Sequence, residues 1–373
     1  MRKTLLFVTA AALVTALASC SQDETTAINQ GDGISFRASL GKATRATETT
    51  LNSMGSFNVT AVKANKNIYF QDVLVQGSGS AWATKYPCYW LGENDEIEFL
   101  AYSPVELKDK IAITDGDATR TINDFTPNNS IADQKDVVIS YNTGSKAANE
   151  SSGVAMNFKH ILSQIEVKAQ CANPNMDIRV IGVKIGHIPS TAAFTFPNVA
   201  TTSNYSLAAN CWTSPATNVT YKESVAETEA ITLNDSPQSI MFDAGNAMLI
   251  PQQLVKWGGN GADKDYTDGG AYLSVLCRIS VKGGSDLTQL YPSTAGAFGY
   301  SAVPIGTKWE PGKKYTYTLD FCGTNSGGGQ VDPEDPDGGN PGDPILSNPI
   351  KFNVTVDDWT TDAPDVPVEM EGN

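Results

Sequence analysis

Histidine is almost absent: the 373 residues include two, His160 and His187. No HExxH, G-x-S-x-G or P-loop occurs, so metal-assisted hydrolysis, a serine nucleophile elbow and phosphate cradling have no local signature. His160 alternates with Met156, Phe158 and Leu162 and reads as a hydrogen-bonded histidine at a core edge. His187 lies between a strand and Pro189 with no carboxylate nearby in sequence. Basic residues are also scarce. Lys and Arg number 26 against 41 Asp and Glu, giving a net charge of −15 and a pI near 4.5. That balance excludes nucleic acid as a partner, because no basic surface is left to displace phosphate counterions. CxxC is missing, and no amphipathic helix exceeds about two turns. Hydrophobic content of 40% and charged content of 18% exclude a disordered chain.

What is present starts with a targeting segment. Arg2 and Lys3 precede an apolar run from Leu5 to Ala18, too short and too rich in small residues for a membrane span. It closes with Leu17, Ala18, Ser19 and Cys20, which looks like a bacterial lipobox, so residues 1–19 are set aside as a signal peptide. Cys20 is the expected lipidation site, and an acyl chain adds roughly 0.8 kcal/mol per buried methylene. Five cysteines follow: Cys88, Cys171, Cys211, Cys277 and Cys322. Cys171 and Cys277 share strand faces with apolar neighbours and read as small core residues, so neither a disulfide framework nor a metal site is expected.

Alternation of apolar and polar residues dominates the rest. It predicts strands over 34–40, 54–64, 68–75, 136–142, 153–171, 178–188, 247–254, 271–283 and 313–321, and a strand, turn and strand over 86–104. Many short strands divided by turn residues predict an all-β chain of β-sandwiches. The polar stretch "NTGSKAANESSG" divides two domains, 34–155 and 156–322, preceded by an exported tether over 20–33. A Gly/Pro/Asp tract follows over 323–347 and reads as a solvated linker. After it, residues 348–373 carry one more strand, with Ile350, Phe352, Val354 and Val356 on one face.

Candidate sites are few. Asp263, Asp265 and Asp268 lie near glycines but lack the spacing of an EF-hand, and no carboxylate pair stands out for glycoside hydrolysis. No cofactor is called for. Trp212 and Trp257, in Asn- and Gly-rich loops, are the candidate ligand-stacking residues. Burying the four apolar residues of the last strand contributes roughly 6–12 kcal/mol, about 1.5–3 each. The length-dependent cost of closing the tract is about 2.7 kcal/mol. Docking on the strand's own domain and docking on a neighbour are therefore both open.

Five pieces in order resemble the fimbrillins, subunits of Bacteroidales type V pili. They are the lipobox, "ISFRASLGKATRAT" (34–47), "YPCYWLGENDEIEFLAYSP" (86–104), "NFKHILSQIEVKAQ" (157–170), and "AMLIPQQL" with "WEPGKKYTYTLDF" and "IKFNVTVDDW". The resemblance implies two transthyretin-like β-sandwich domains in tandem and a non-enzymatic, structural and adhesive role in a cell-surface fimbria. It implies export as an outer-membrane lipoprotein precursor held by lipid at Cys20 before processing. It further implies cleavage after Arg45 and removal of a plug strand carrying Ile34, Phe36, Ala38 and Leu40. The groove then takes a donor strand equivalent to Ile350, Phe352, Val354 and Val356 from another fimbrial subunit. The competing expectation is a permanently lipid-anchored surface module or pilus anchor that does not polymerise and binds a glycan or protein.

Overall fold

A computed structural model describes residues 33–40, 51–78, 81–117, 119–197, 207, 210–258, 269–284, 286–324 and 326–359. Cys20, Arg45 and the acidic loop 263–268 lie outside the described residues. The first strands are β1 (Phe36–Leu40), β2 (Ser56–Lys63), β3 (Ile68–Ser78), β4 (Ala81–Thr84), β5 (Ile97–Ser103), β6 (Ile111–Ile113), β7 (Arg120–Phe125), β8 (Val138–Gly144) and β9 (Val154–His160). Of these, β1, β4, β3, β2, β5, β8 and β9 close into a barrel in that order. Closure gives each of these strands a neighbour on both sides, though β1 meets β4 at one residue pair and β8 meets β9 at two. Phe36, Phe57, Val59, Phe99, Ala101, Met156 and Phe158 fill the interior.

The chain continues with β10 (Ser163–Gln170), β11 (Met176–Thr195), β12 (Ala216–Ser224), β13 (Ile231–Thr232), β14 (Gln238–Ser239), β15 (Ala247–Leu249), β16 (Tyr272–Gly283), β17 (Asp286–Tyr291), β18 (Gly299–Pro304), β19 (Lys313–Asp320), β20 (Gln330–Val331) and β21 (Lys351–Asp358). One sheet runs β14-β10-β19-β21, with β15 also on β10. The facing sheet runs β20-β18-β16-β11-β7-β6, with β12 and β13 on β11 and β17 on β16. Alternate residues of both sheets meet between them: Ile165, Val167, Tyr317 and Leu319 from one, and Val180, Val183, Leu273 and Val275 from the other. The fold is all-β, as the alternation predicts.

The two halves are not separate along the chain. β6 and β7 come from the stretch 34–155, yet β7 pairs with the far end of β11, Ala192 opposite Phe125 and Phe194 opposite Ile122. The division expected at 155/156 falls inside β9. The long strand expected over 153–171 is broken at Ile161 and Leu162, one part joining the barrel and the other the sandwich. β5 shows why the halves hold together. Phe99 and Ala101 face the barrel interior, while Leu100 and Tyr102 face outward into a further apolar cluster with Ile122, Phe194, Trp212, Ile250 and Trp359.

Three local expectations are corrected. The segment 86–90 forms no strand: Tyr89 makes a single bridge to Gly33 while Tyr86 and Tyr89 point outward. Cys171 does not stay a free core thiol but is bonded to Cys322, with Cα atoms 4.7 Å apart. The ends of the parallel neighbours β10 and β19 bring the two together. The Gly/Pro/Asp tract is no solvated linker either. β20 lies within it and pairs with β18, and Gln330, Val331 and Asp332 are buried. Composition misleads there because turn residues serve a tight, folded excursion as well as a loose one.

Candidate functional site at the two terminal strands

β1 is a stave of the barrel supplied from near the start of the chain. It runs parallel to β9 from Phe36↔Val154 to Leu40↔Phe158, and meets β4 at Phe36↔Trp82. Ahead of it, the Ile34 N–H donates to the Cys88 carbonyl at 2.7 Å. Ile34 and Phe36 are buried, and the Phe36 ring sits edge-on to Phe99 at 5.5 Å. Ala38 and Leu40 pack half-buried against the same core. The four expected plug residues therefore face one interior. Taking this strand away would uncover an apolar slot flanked by the unpaired backbone of β9, the geometry that accepts an added strand.

β21 lies at the other end of the described chain and is docked on its own molecule. It runs antiparallel to β19 through an eight-residue ladder, from Lys313↔Asp358 to Asp320↔Lys351. Ile350 and Val354 are buried in the sandwich core, and Phe352 and Val356 pack half-buried against it. Lys351 and Asn353 lie on the opposite, exposed side, and Asp358 is exposed at the end of the strand.

The tract that leads to β21 is held from beneath. It leaves the disulfide at Cys322, crosses to the edge of the facing sheet as β20, and returns. Gly329 makes the crossing possible. Its φ is +83°, and a Cβ there would come 2.2 Å from Ser301 Oγ. Lys184, on the outward face of β11 and 1% exposed, places Nζ 3.1 Å from Asp332 Oδ1 and also pairs with Asp335. The same ammonium stands 3.7 Å from the Tyr300 ring centroid. Asp332 accepts the Glu334 and Asp335 N–H groups at 2.9 Å each. Burial, and then the Asp335 and Asp332 carboxylates, push the Tyr300 phenol up to about 12. Next to this group His187 Nε2 lies 3.2 Å from Glu334, so a carboxylate distant in sequence does reach that histidine.

The far end of β21 is held as well. Trp359 is buried and stacks on His160, ring centroids 4.2 Å apart and planes 5° from parallel. His160 Nδ1 lies 2.7 Å from Asp136 Oδ2, and both side chains are inaccessible to solvent. His160 is thus the bonded core-edge histidine that its sequence pattern predicts.

The expected stacking tryptophans are not exposed. Trp257 is 1% accessible and packs against Tyr272; Trp212 is 8% accessible and donates its indole N–H to the Ile161 carbonyl. Trp212 packs against Phe125 and Phe194, so both indoles lie among other rings and neither stands free on the surface. Trp212 does line a cavity of about 650 Å³ together with Pro189, Pro251, Val255, Trp309 and Lys313. Among the described residues no group of three or more His, Cys, Asp or Glu side chains could hold a metal ion, and no helix is long and apolar enough to cross a membrane. Sequence reasoning missed Lys184 with Asp332 and the Cys171–Cys322 bond. Their partners lie 148 and 151 positions apart and belong to no motif, so no local signal could have joined them.

Comparison with known proteins follows the same lines. No curated protein matches the chain. Among solved structures, a fimbrial protein from Bacteroides vulgatus is similar at 17% identity, over 88% of this chain and all of that one, with a TM-score of 0.52. A candidate cell adhesion protein from Parabacteroides distasonis matches at 13% identity over 91% of this chain and 99% of that one, TM-score 0.47. Another from Bacteroides ovatus matches at 13% over 89% and 99%, TM-score 0.46. The first of these shares the fold. A family model described as fimbrillin-like matches residues 44–359, and the chain accordingly belongs to the fimbrillin-like family.

Proposed function

We propose that the protein is a structural subunit of a cell-surface fimbria, exported as a lipoprotein precursor acylated at Cys20. Cleavage after Arg45 frees β1, and the vacated slot between β4 and β9 takes a strand from a neighbouring subunit. The role is structural, not enzymatic. The single observation behind this reading is the position of β1. It is the barrel stave supplied from the N-terminal side of Arg45, and it contributes Ile34 and Phe36 to the interior. A subunit whose core is completed by a strand joined to the rest through a polar stretch, here residues 41–50, can exchange that strand for another of the same alternation. β21 has that alternation and a buried inward face, and leaving β19 would make it available.

The test is the intact mass and N-terminal sequence of the protein released from the cell surface. The expected mature start is Ala46, without lipid. A start at lipidated Cys20 would overturn strand exchange and leave a permanently anchored surface lipoprotein.

A further inference from the structure

β9 is the element on which both terminal strands converge. Over Val154–Phe158 its ladder partner is β1. Its pairing with β8 lies at the other end, Val138↔His160 and Ile139↔Lys159. His160, the last residue of β9, carries the ring of Trp359, the residue that follows β21. Backbone bonds continue the link. The Gly312 N–H donates to the Leu162 carbonyl at 2.9 Å, and the Trp359 N–H donates to the Gly312 carbonyl at 3.0 Å.

The contact at that junction is a poor one in one respect. His160 Nε2, Asp136 Oδ1 and Trp359 Nε1 are all buried and find no hydrogen-bond partner among the described residues. Each unmet buried polar group offsets part of the gain from stacking. A contact so balanced persists only while the surrounding backbone holds its geometry. If β1 leaves, Val154–Phe158 lose their ladder partner, and Met156 and Phe158 lose Phe36 from the core they share. What remains of the backbone ladder of β9 then sits at its last two residues, beside the stacked ring, with the Asn142 amide of β8 donating to the Ala155 carbonyl at 2.6 Å.

We infer that β9 couples the two termini: occupancy of the β1 slot and retention of β21 on its own sheet are linked through the His160–Trp359 stack. An empty slot loosens β21, and a loosened Trp359 loosens β1, because coupling between two sites is reciprocal. What this means for assembly rests on the strand-exchange reading, in which opening the groove would also ready the strand to be donated. The coupling itself does not.

Hydrogen exchange of the full chain, read by mass spectrometry, tests it. Phe36→Ala is compared with Val75→Ala, a substitution in β3 at a residue buried in the same core. Phe36→Ala should speed exchange over 351–358 about tenfold, within the usual range of coupling, and Val75→Ala should leave it unchanged. Conversely, Trp359→Ala should speed exchange over 36–40 by a similar factor and leave β2 as it was. Equal acceleration by both barrel variants, or by neither, overturns the inference. Should Phe36→Ala fail to fold, Trp359→Ala decides alone, and unchanged exchange over 36–40 then sinks it. Failure of the cleaved protein to polymerise, measured separately, would count against the assembly reading and leave the coupling standing.

Discussion

At the scale of single residues, the most consequential group is one that no motif announces. Lys184 and Asp332 are charges of opposite sign taken fully out of water, 3.1 Å apart, with Asp332 further satisfied by two backbone N–H groups. An ion pair of this kind adds little over an apolar replacement of both partners, but removing one member strands the other. Lys184→Met should therefore cost about 3–5 kcal/mol of unfolding free energy. Asp332→Asn should cost less, since Asp335 still faces the ammonium and the amide oxygen can still accept. Adding Asp332→Asn to Lys184→Met should recover much of the loss. Urea denaturation of the three variants measures this, and a Lys184→Met loss below about 1 kcal/mol would place the pair in the solvated class. Trp212 and Trp257 carry the converse lesson. Their Asn- and Gly-rich surroundings read as surface loops, but each indole is buried against other rings, Trp212 against Phe125 and Phe194 and Trp257 against Tyr272, contacts that local composition does not encode.

At the scale of elements, the period of two located most strands within a few residues, because each of those strands buries one face. β5 departs from that rule: its run "IEFLAYS" is buried on both faces, with Glu98 paired to Lys66. β20 was not legible, since two residues carry no period and the tract around it has the composition of a linker. The β6–β7 hairpin was hidden by position, falling in the first half of the chain while serving the sheet of the second. β21 was legible as a strand, but which partner it takes was not, because alternation specifies a face and says nothing about whose sheet receives it. Its inward face now makes a specific prediction. Val354 is buried while its neighbour Thr355 is only partly so. Val354→Asp places a charge against the sandwich core and should detach β21, making residues 351–359 the first site of limited proteolysis. Thr355→Asp, one position along and on the opposite face, should leave the cleavage pattern unchanged. Equal sensitivity of the two variants would mean that β21 is held by its ladder alone and not by its side chains.

At the scale of the whole molecule, the Cys171–Cys322 bond joins positions 151 apart and fixes the point from which the last tract departs. It runs from the end of β10 to the end of β19, so nine of the fourteen strands of the two sheets, β11 to β19, lie within the loop that it closes. In the chain-entropy picture a cross-link acts by restricting the unfolded state, and a loop of this length gives an upper figure of roughly 5 kcal/mol, with typical values of about 2–4. The same picture makes a second demand. If the unfolded chain is freed, it exposes more surface, and the dependence of stability on denaturant should steepen. Replacing both cysteines by serine should therefore lower the unfolding free energy by about 2–4 kcal/mol and raise the urea slope together. A loss of stability with an unchanged slope would assign the effect to the folded state instead, to strain released or packing lost where β10 meets β19. No loss at all would mean that the ends of these strands are held by their ladder, and that the covalent bond only records their proximity.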